Sequence, residues 1–472
     1  MIHGVVDKGM DYPDKIQLLA KMGYNDLVES FQLRYRNRHD GSEEEEDEEH
    51  FFAQLSFSVF RVGQWALELY QHQDKLLQSP QHLAAYHNIM QRLLATASNL
   101  LNTEKPKISR YQVEFLSFWL QAIKKQDILS DFDNECLLNL TRVVVERLTY
   151  PQWFTFKVDL SDYEEEFVKY RDELVINIFG NMALIKAYVP TLLQALAELL
   201  QRIAPGTTTA AQAEVILYLL YHLQSSIPSE LREKATGDNP YCQLIQYLLK
   251  LDFLQFRHKA VNLQYLEVSV RYSGYLLKTE GFFHHIIGML FSDHGLRSSD
   301  SNLASRSCYL LLRLCERFHS ALGPESPELS LIDPIVANTV AVIRDFDQRK
   351  LGTLREEDIN NLYNVLGLFV SSKNLGQQQK TQYLKEVYSQ LSSKLSHFAG
   401  HFDKVLWTLK HLNIFSKGLV AAGDDEIYNQ VLQQVLQAMN SAIGVAEICD
   451  QAMLYLQKCV SILGANVLPY VT

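Results

Sequence analysis

The stretch "DHGLRSSDSNLASRSCYLLLRLCERF", Asp293 to Phe318, begins as a polar turn and ends as an apolar helix with arginines along one side. Guanidinium groups so placed can meet phosphate oxygens through charge-assisted hydrogen bonds, or carboxylates on a neighbouring helix. Ala304, Cys308, Leu311, Cys315, Phe318 and Leu322 follow the helical period as a buried stripe, and Arg306, Leu310, Arg313 and Arg317 form another rotated from it. Arg306, a few residues into the helix after an "SD" turn, is expected to serve the packing of the stack. Arg297, in the turn itself, is expected to be freer to reach a ligand. Two further clusters concentrate positive charge at helix ends: "FRHKAV", with Arg257, His258 and Lys259, and "RYRNRH", with Arg34, Arg36 and Arg38. Cations there suit phosphate contact, and they also complement the helix dipole.

The opposite charge is concentrated in "SEEEEDEEH". Glu43, Glu44, Glu45, Glu46, Asp47, Glu48 and Glu49 supply much of the chain's net charge of −11. Seven like charges repel one another, so an acidic loop is expected over residues 40–50, solvated or serving as a docking strip for a basic partner. Other carboxylates offer no catalysis. Asp159, Asp162 and Glu164–Glu166 open a helix in "DLSDYEEEFVKYRDELV", where the dipole favours them, with no nucleophile or Gly-rich loop at hand. "DFDQRKLGTLREE" has calcium-loop spacing but carries Arg349 and Lys350 where that loop needs a ligand and a glycine. No His/Cys spacing suggests a metal, no cofactor is implied, and the chain reads as a non-enzyme.

The elements that carry these residues are helices. At 472 residues, 47% hydrophobic and 21% charged, with only 21 glycines, the composition suits a folded helical protein and argues against turn-rich β structure. Six scattered cysteines without a C-x-x-C pair, no secretory leader after Met1, and no apolar run long enough to cross a membrane point to a reduced, intracellular, soluble chain. The helical period recurs over roughly 14–38, 51–75, 82–101, 109–126, 129–149, 162–184, 190–203, 208–226, 257–278, 302–322, 332–348, 356–371, 376–398, 401–421 and 426–460, the last expected to be two helices. Breaks fall at "SSIPSEL", "GDNP", "GPESPELS" and "AAGDDE". An all-α HEAT-repeat solenoid of antiparallel helix pairs over residues 1–472 fits best, with a globular helical bundle as the competitor.

Four segments carry a resemblance: "VVDKGMDYPDKIQLL", "DYEEEFVKYRDELVINIFGNMA", "LEVSVRYSGYLLKTEGFFHHIIGMLFSDHGLRSSDSNLASRSCYLLLRLCERF" and "YLQKCVSILGANVLPYV". In that order they resemble the exportin-T family of the importin-β superfamily, over about the middle half of a typical member. The resemblance implies a HEAT-repeat superhelix that binds tRNA together with GTP-bound Ran, meets nuclear pore proteins, and shuttles between nucleus and cytoplasm as a monomer without inserting into membranes. It also implies that the family's N-terminal Ran-binding region and its C-terminal part are missing. On this reading Arg257, Lys259, Arg297 and Arg306 contact tRNA, with Arg34, Arg36 and Arg38 as a second patch, and Glu43–Glu49 faces Ran. A HEAT scaffold or karyopherin fragment with protein cargo is the alternative.

Overall fold

The computed structural model describes Lys21 and residues 43–71, 80–103, 106–157, 159–204, 206–227, 239–276, 281–321, 331–372, 375–419 and 425–467. All regular structure among them is helical, with no strand. The expected helix over 14–38, and Arg34, Arg36 and Arg38 with it, lies outside the described residues. Backbone contacts divide the chain into two compact units, Met1–Phe256 and Arg257–Thr472, where the sequence reading expects a single array.

In the first unit, α1 (Glu43–Gln71) packs on α3 (Pro106–Ile123), which packs on α5 (Asp162–Leu174). A π-helical turn (Val175–Phe179) carries α5 into α6 (Gly180–Ala183), which meets α8 (Ala210–Ser226). A second row comprises α2 (Pro80–Leu101), α4 (Asp131–Leu148), α7 (Val189–Gln201) and α9 (Pro240–Lys250). The second unit repeats the scheme. One row stacks α10 (Lys259–Arg271), α13 (Ser301–Ala321), α15 (Glu356–Val370), α17 (Phe402–Ser416) and α19 (Ala446–Leu463). The other helices are α11 (Ser273–Leu276), α12 (Phe282–Leu290), α14 (Ile332–Asp347), α16 (Gln377–His397) and α18 (Asp425–Ser441). These are HEAT-type antiparallel pairs, each apolar face buried on the next pair. The stretch expected over 426–460 is indeed two helices, α18 and α19.

Local chemistry starts the helices where the sequence says it should. The Ser130 hydroxyl accepts from the Asp133 N–H at 3.1 Å to begin α4. Ser161 and Glu164 form a reciprocal capping box at α5, and Thr209 and Gln212 form one at α8. The acidic run departs from expectation. It is not a loop: α1 begins at Glu43, so residues 43–49 are its first two turns. Carboxylates at a helix N-terminus meet the positive end of the dipole, and that attraction offsets their mutual repulsion. Glu49 also pairs with Lys107 of α3 at 3.4 Å.

The first unit buries one ion pair. Arg171 of α5 meets Glu214 of α8 at 2.8 Å, with side chains only 4% and 5% exposed. The guanidinium lies over the rings of Tyr150 at 3.8 Å and Tyr218 at 4.4 Å. Burial alone would favour loss of its proton, but Glu214 overrides this, raises the Arg171 pKa and holds it charged. Arg171→Met is expected to destabilise the unit by ~3–5 kcal/mol because it strands a buried carboxylate, and Arg171→Met with Glu214→Leu to recover most of that. Chemical denaturation of the two variants checks the order.

Glu164 supplies a second test. Backbone N–H groups of Ser161 and Thr155, then the two hydroxyls, hydrogen-bond its carboxylate and hold its pKa at about 2, below the ordinary 4.5. A depressed carboxylate pKa contributes stability above the ordinary value and loses it as pH falls toward the depressed one. Glu164→Gln is therefore expected to lower Tm at neutral pH, and the gap to the unsubstituted protein to close between about pH 4.5 and pH 2.

Candidate nucleic-acid interface

The cations singled out in the second unit lie where one helix of a pair turns into the other. Lys259 opens α10, and its ammonium meets the Asp300 carboxylate just before α13 at 2.6 Å. Arg297, in the turn before α13, meets Asp345 of α14 at 2.7 Å. Thr353, in the turn before α15, donates to the Ser298 carbonyl at 3.1 Å. Successive turns are thus joined one to the next by charge and hydrogen bonds. Burial would raise the Asp300 pKa, but the Lys259 ammonium and the N–H groups of Leu303 and Asn302 lower it on balance.

Arg306 and Arg297 are less different than the sequence suggests. Arg306 reaches back to Glu267 of α10 at 2.5 Å, and its guanidinium lies 4.6 Å from the Tyr309 ring. Its side chain is 43% exposed and that of Arg297 33%, so both hold neighbouring helices while facing solvent. Arg317 has a plainer role, donating to the carbonyls of Val270 and Arg271 at the end of α10. Ion pairs this exposed are worth only ~0–1 kcal/mol. A phosphate can take the place of such a carboxylate at little cost.

Arg257 differs from the others. It is exposed, and its backbone is left-handed at φ +46°. With Lys259, Asn262, His294 and Ser299 it lines a groove of about 510 Å³. The Asn262 amide nitrogen lies 3.1 Å from His294 Nδ1. The groove thus brings Arg257 and Lys259 together with the carboxylates of Asp293 and Asp300, while Arg297 and Arg306 are not among its lining residues. Arg349 repeats the pattern two turns along the array, exposed at φ +58°. Both arginines, like Phe156 at φ +55°, hold a backbone conformation that glycine would adopt without strain.

Sequence reasoning passed over Arg349 and Lys350 as binding residues because it weighed them only as failures of a calcium loop. Lys350 shares Asp345 with Arg297, at 3.9 Å. It also passed over Lys404, Trp407 and Lys410 on α17, whose steps of three in "DKVLWTLKHL" were the available signal. In the first unit, a groove of about 1150 Å³ opens between α4 and α7, walled by Tyr150, Trp153, Phe167 and Tyr170 with Arg142 and Arg202 on its sides. Trp153 packs edge-on against Tyr163 and Phe167, with ring centroids 5.5 and 5.6 Å away.

Arg257 can be tested for both of its unusual properties. Arg257→Ala keeps the backbone strain and Arg257→Gly relieves it, so the Gly variant is expected to be the more stable by about 1 kcal/mol. Both are expected to elute earlier from a heparin column, because each loses the same cation.

The Exportin-T family profile matches residues 83–472. Human Exportin-T is 22% identical over 502 residues, covering 99% of this chain and 49% of its own length. Exportin-T of Danio rerio is 25% identical over 335 residues, covering 68% and 32%. Exportin-T of Arabidopsis thaliana is 24% identical over 284 residues, covering 55% and 28%. The chain spans about half the length of the human relative. Among solved structures, importin-13 in its cytosolic state superposes with a TM-score of 0.70 at 14% identity, over 100% of this chain and 53% of that one. Importin-β, crystallised in polyethylene glycol, gives 0.58 at 13% identity, over 99% and 60%. Those likenesses establish the HEAT-type solenoid fold, and the profile match, which takes in most of the described helices, establishes descent: the chain belongs to the Exportin-T family.

Proposed function

We propose that this chain is part of a nuclear export receptor that binds tRNA together with GTP-bound Ran and carries it through the nuclear pore to the cytoplasm. The observation that carries the reading is the family match over residues 83–472. The placement of the cations supports it. A receptor for folded RNA works on shape and backbone, and needs dispersed arginines and lysines rather than a base-reading motif. Arg257, Lys259, Arg297 and Arg306 stand at successive turns and along α13 in that manner, and Arg34, Arg36 and Arg38 form the further patch of the proposal. Glu43–Glu49 is the proposed surface for Ran, with its carboxylates carried on a helix. The aromatic groove between α4 and α7 suits apolar side chains of nuclear pore proteins. No described helix is long and apolar enough to cross a membrane.

A protein-binding HEAT scaffold is the second reading. It is favoured by the fact that Lys259, Arg297 and Arg306 each already have a carboxylate partner on a neighbouring element.

The two readings divide on tRNA binding by this chain, measured with and without GTP-loaded Ran across a salt series. Export-receptor function is expected to give binding that strengthens with Ran and weakens steeply with salt, its slope flattened by nearly one unit in Arg257→Gln. Absence of tRNA binding by folded protein overturns the receptor reading and leaves the scaffold.

A further inference from the structure

The outward stripe of α17 joins two lysines to an indole, with Lys404 4.8 Å from the Phe398 ring and Trp407 6.1 Å from the His411 ring. The helix seats Val405, Leu409, Leu412 and Phe415 in the core. Trp407 belongs to a different stripe, in which Lys404, Trp407 and Lys410 follow at steps of three and are all partly or fully exposed. The Lys410 ammonium lies 4.7 Å from the centre of the indole, a cation–π contact that holds the ring in place. His411, one turn further on, stacks on Tyr363 of α15 at 4.7 Å, so the tryptophan edge of α17 runs beside α15. Asn360 and Asn364 of α15 are one turn apart and half-buried, and the Asn360 side-chain oxygen is itself closed off from solvent.

Each group on this surface suits one part of an unpaired nucleotide. Lysines attract the phosphate. A flat indole stacks with any base, because every base has a π face. In duplex RNA the base faces are already stacked, and the ring would have nothing to meet.

We propose that Trp407, flanked by Lys404 and Lys410, is a stacking platform for an unpaired base of bound RNA. The proposal rests on the RNA reading above and adds to it a requirement for single-stranded nucleotides at α17.

The test measures affinity of the full chain for a single-stranded oligouridylate, for a blunt RNA duplex of equal length, and for tRNA. Trp407→Leu keeps the apolar contacts and removes the π face, and Trp407→Phe keeps both. The Leu variant is expected to bind oligouridylate roughly 5- to 150-fold more weakly, with an unchanged salt slope, while duplex affinity holds and the Phe variant retains most of the binding. Lys404→Gln, whose ammonium lies over the Phe398 ring and not over Trp407, is expected to do the reverse, flattening the single-strand slope by about 0.7 while leaving the stacking contribution in place. Oligouridylate should also quench tryptophan fluorescence in the unsubstituted protein, and less so in Trp407→Phe, which keeps the other three of the chain's four tryptophans. If tRNA binds and Trp407→Leu matches the unsubstituted protein on every RNA, the platform is wrong and the RNA reading stands. An equal loss on duplex and single strand also overturns the platform, since it marks a general weakening. No binding of any RNA overturns both.

Discussion

The second unit depends on how closely α15 and α17 approach. At Gly367 a side-chain carbon would lie 2.3 Å from the carbonyl oxygen of Phe415, a distance no side chain tolerates, so the two backbones touch. Phe369 and Phe415 lie wholly buried along this seam, and Phe318 of α13 continues it, 6.5 Å from Phe369 between ring centres. A HEAT pair cannot seal its own apolar face, and the energy of the array comes from such seams. The contact also sets what solvent meets. Asn364 is one turn before Gly367, and Trp407 is two turns before Phe415. Tyr363 lies against His411 and Gly367 against Phe415, so the helices run in parallel register and the indole stands about one turn before the level of Asn364.

Charge plays two parts. Arg171 and Glu214 are deeply buried between two tyrosine rings, where an ion pair holds geometry and tolerates no missing partner. In the second unit the pairs are exposed and weak, and their members remain available to a competitor of higher charge. Chemically similar pairs are thus a fixed joint in one unit and an exchangeable contact in the other. Burial makes the difference. At the turns of the second unit the compensating carboxylates already stand next to the cations.

What could be read from the sequence was local. Most helix positions follow from apolar spacing, but α9 and α12 fall in stretches where the sequence reading expects no helix, because each is short and offers only two or three turns of the period. The acidic run was misread because repulsion within it was weighed more heavily than attraction to the dipole it begins. Arg297 and Arg306 were separated by their place relative to one turn, yet their partners, Asp345 and Glu267, lie 48 and 39 residues away in sequence. No spacing rule reaches that far. Trp407 was hidden for a related reason: in "DKVLWTLKHL" an indole counts as one more apolar residue until the helix is known to bury a different stripe.

The π-helical turn at Val175–Phe179 gives the first unit a phase that its neighbours lack. One residue more than an α-helix needs is absorbed there without a break in the rod, and Ile176 is pushed out to 65% exposure. Beyond it Gly180 passes close to the Val175 carbonyl and Ser226, and Met182 and Ala183 are fully buried. Their burial depends on the extra residue, because an α-helix turns about 100° per residue. Excising a residue from the turn would regularise the hydrogen bonds yet swing everything after it a quarter-turn or more away from α8. The helix is locked in the irregular form: its backbone would gain from a repair that its packing forbids.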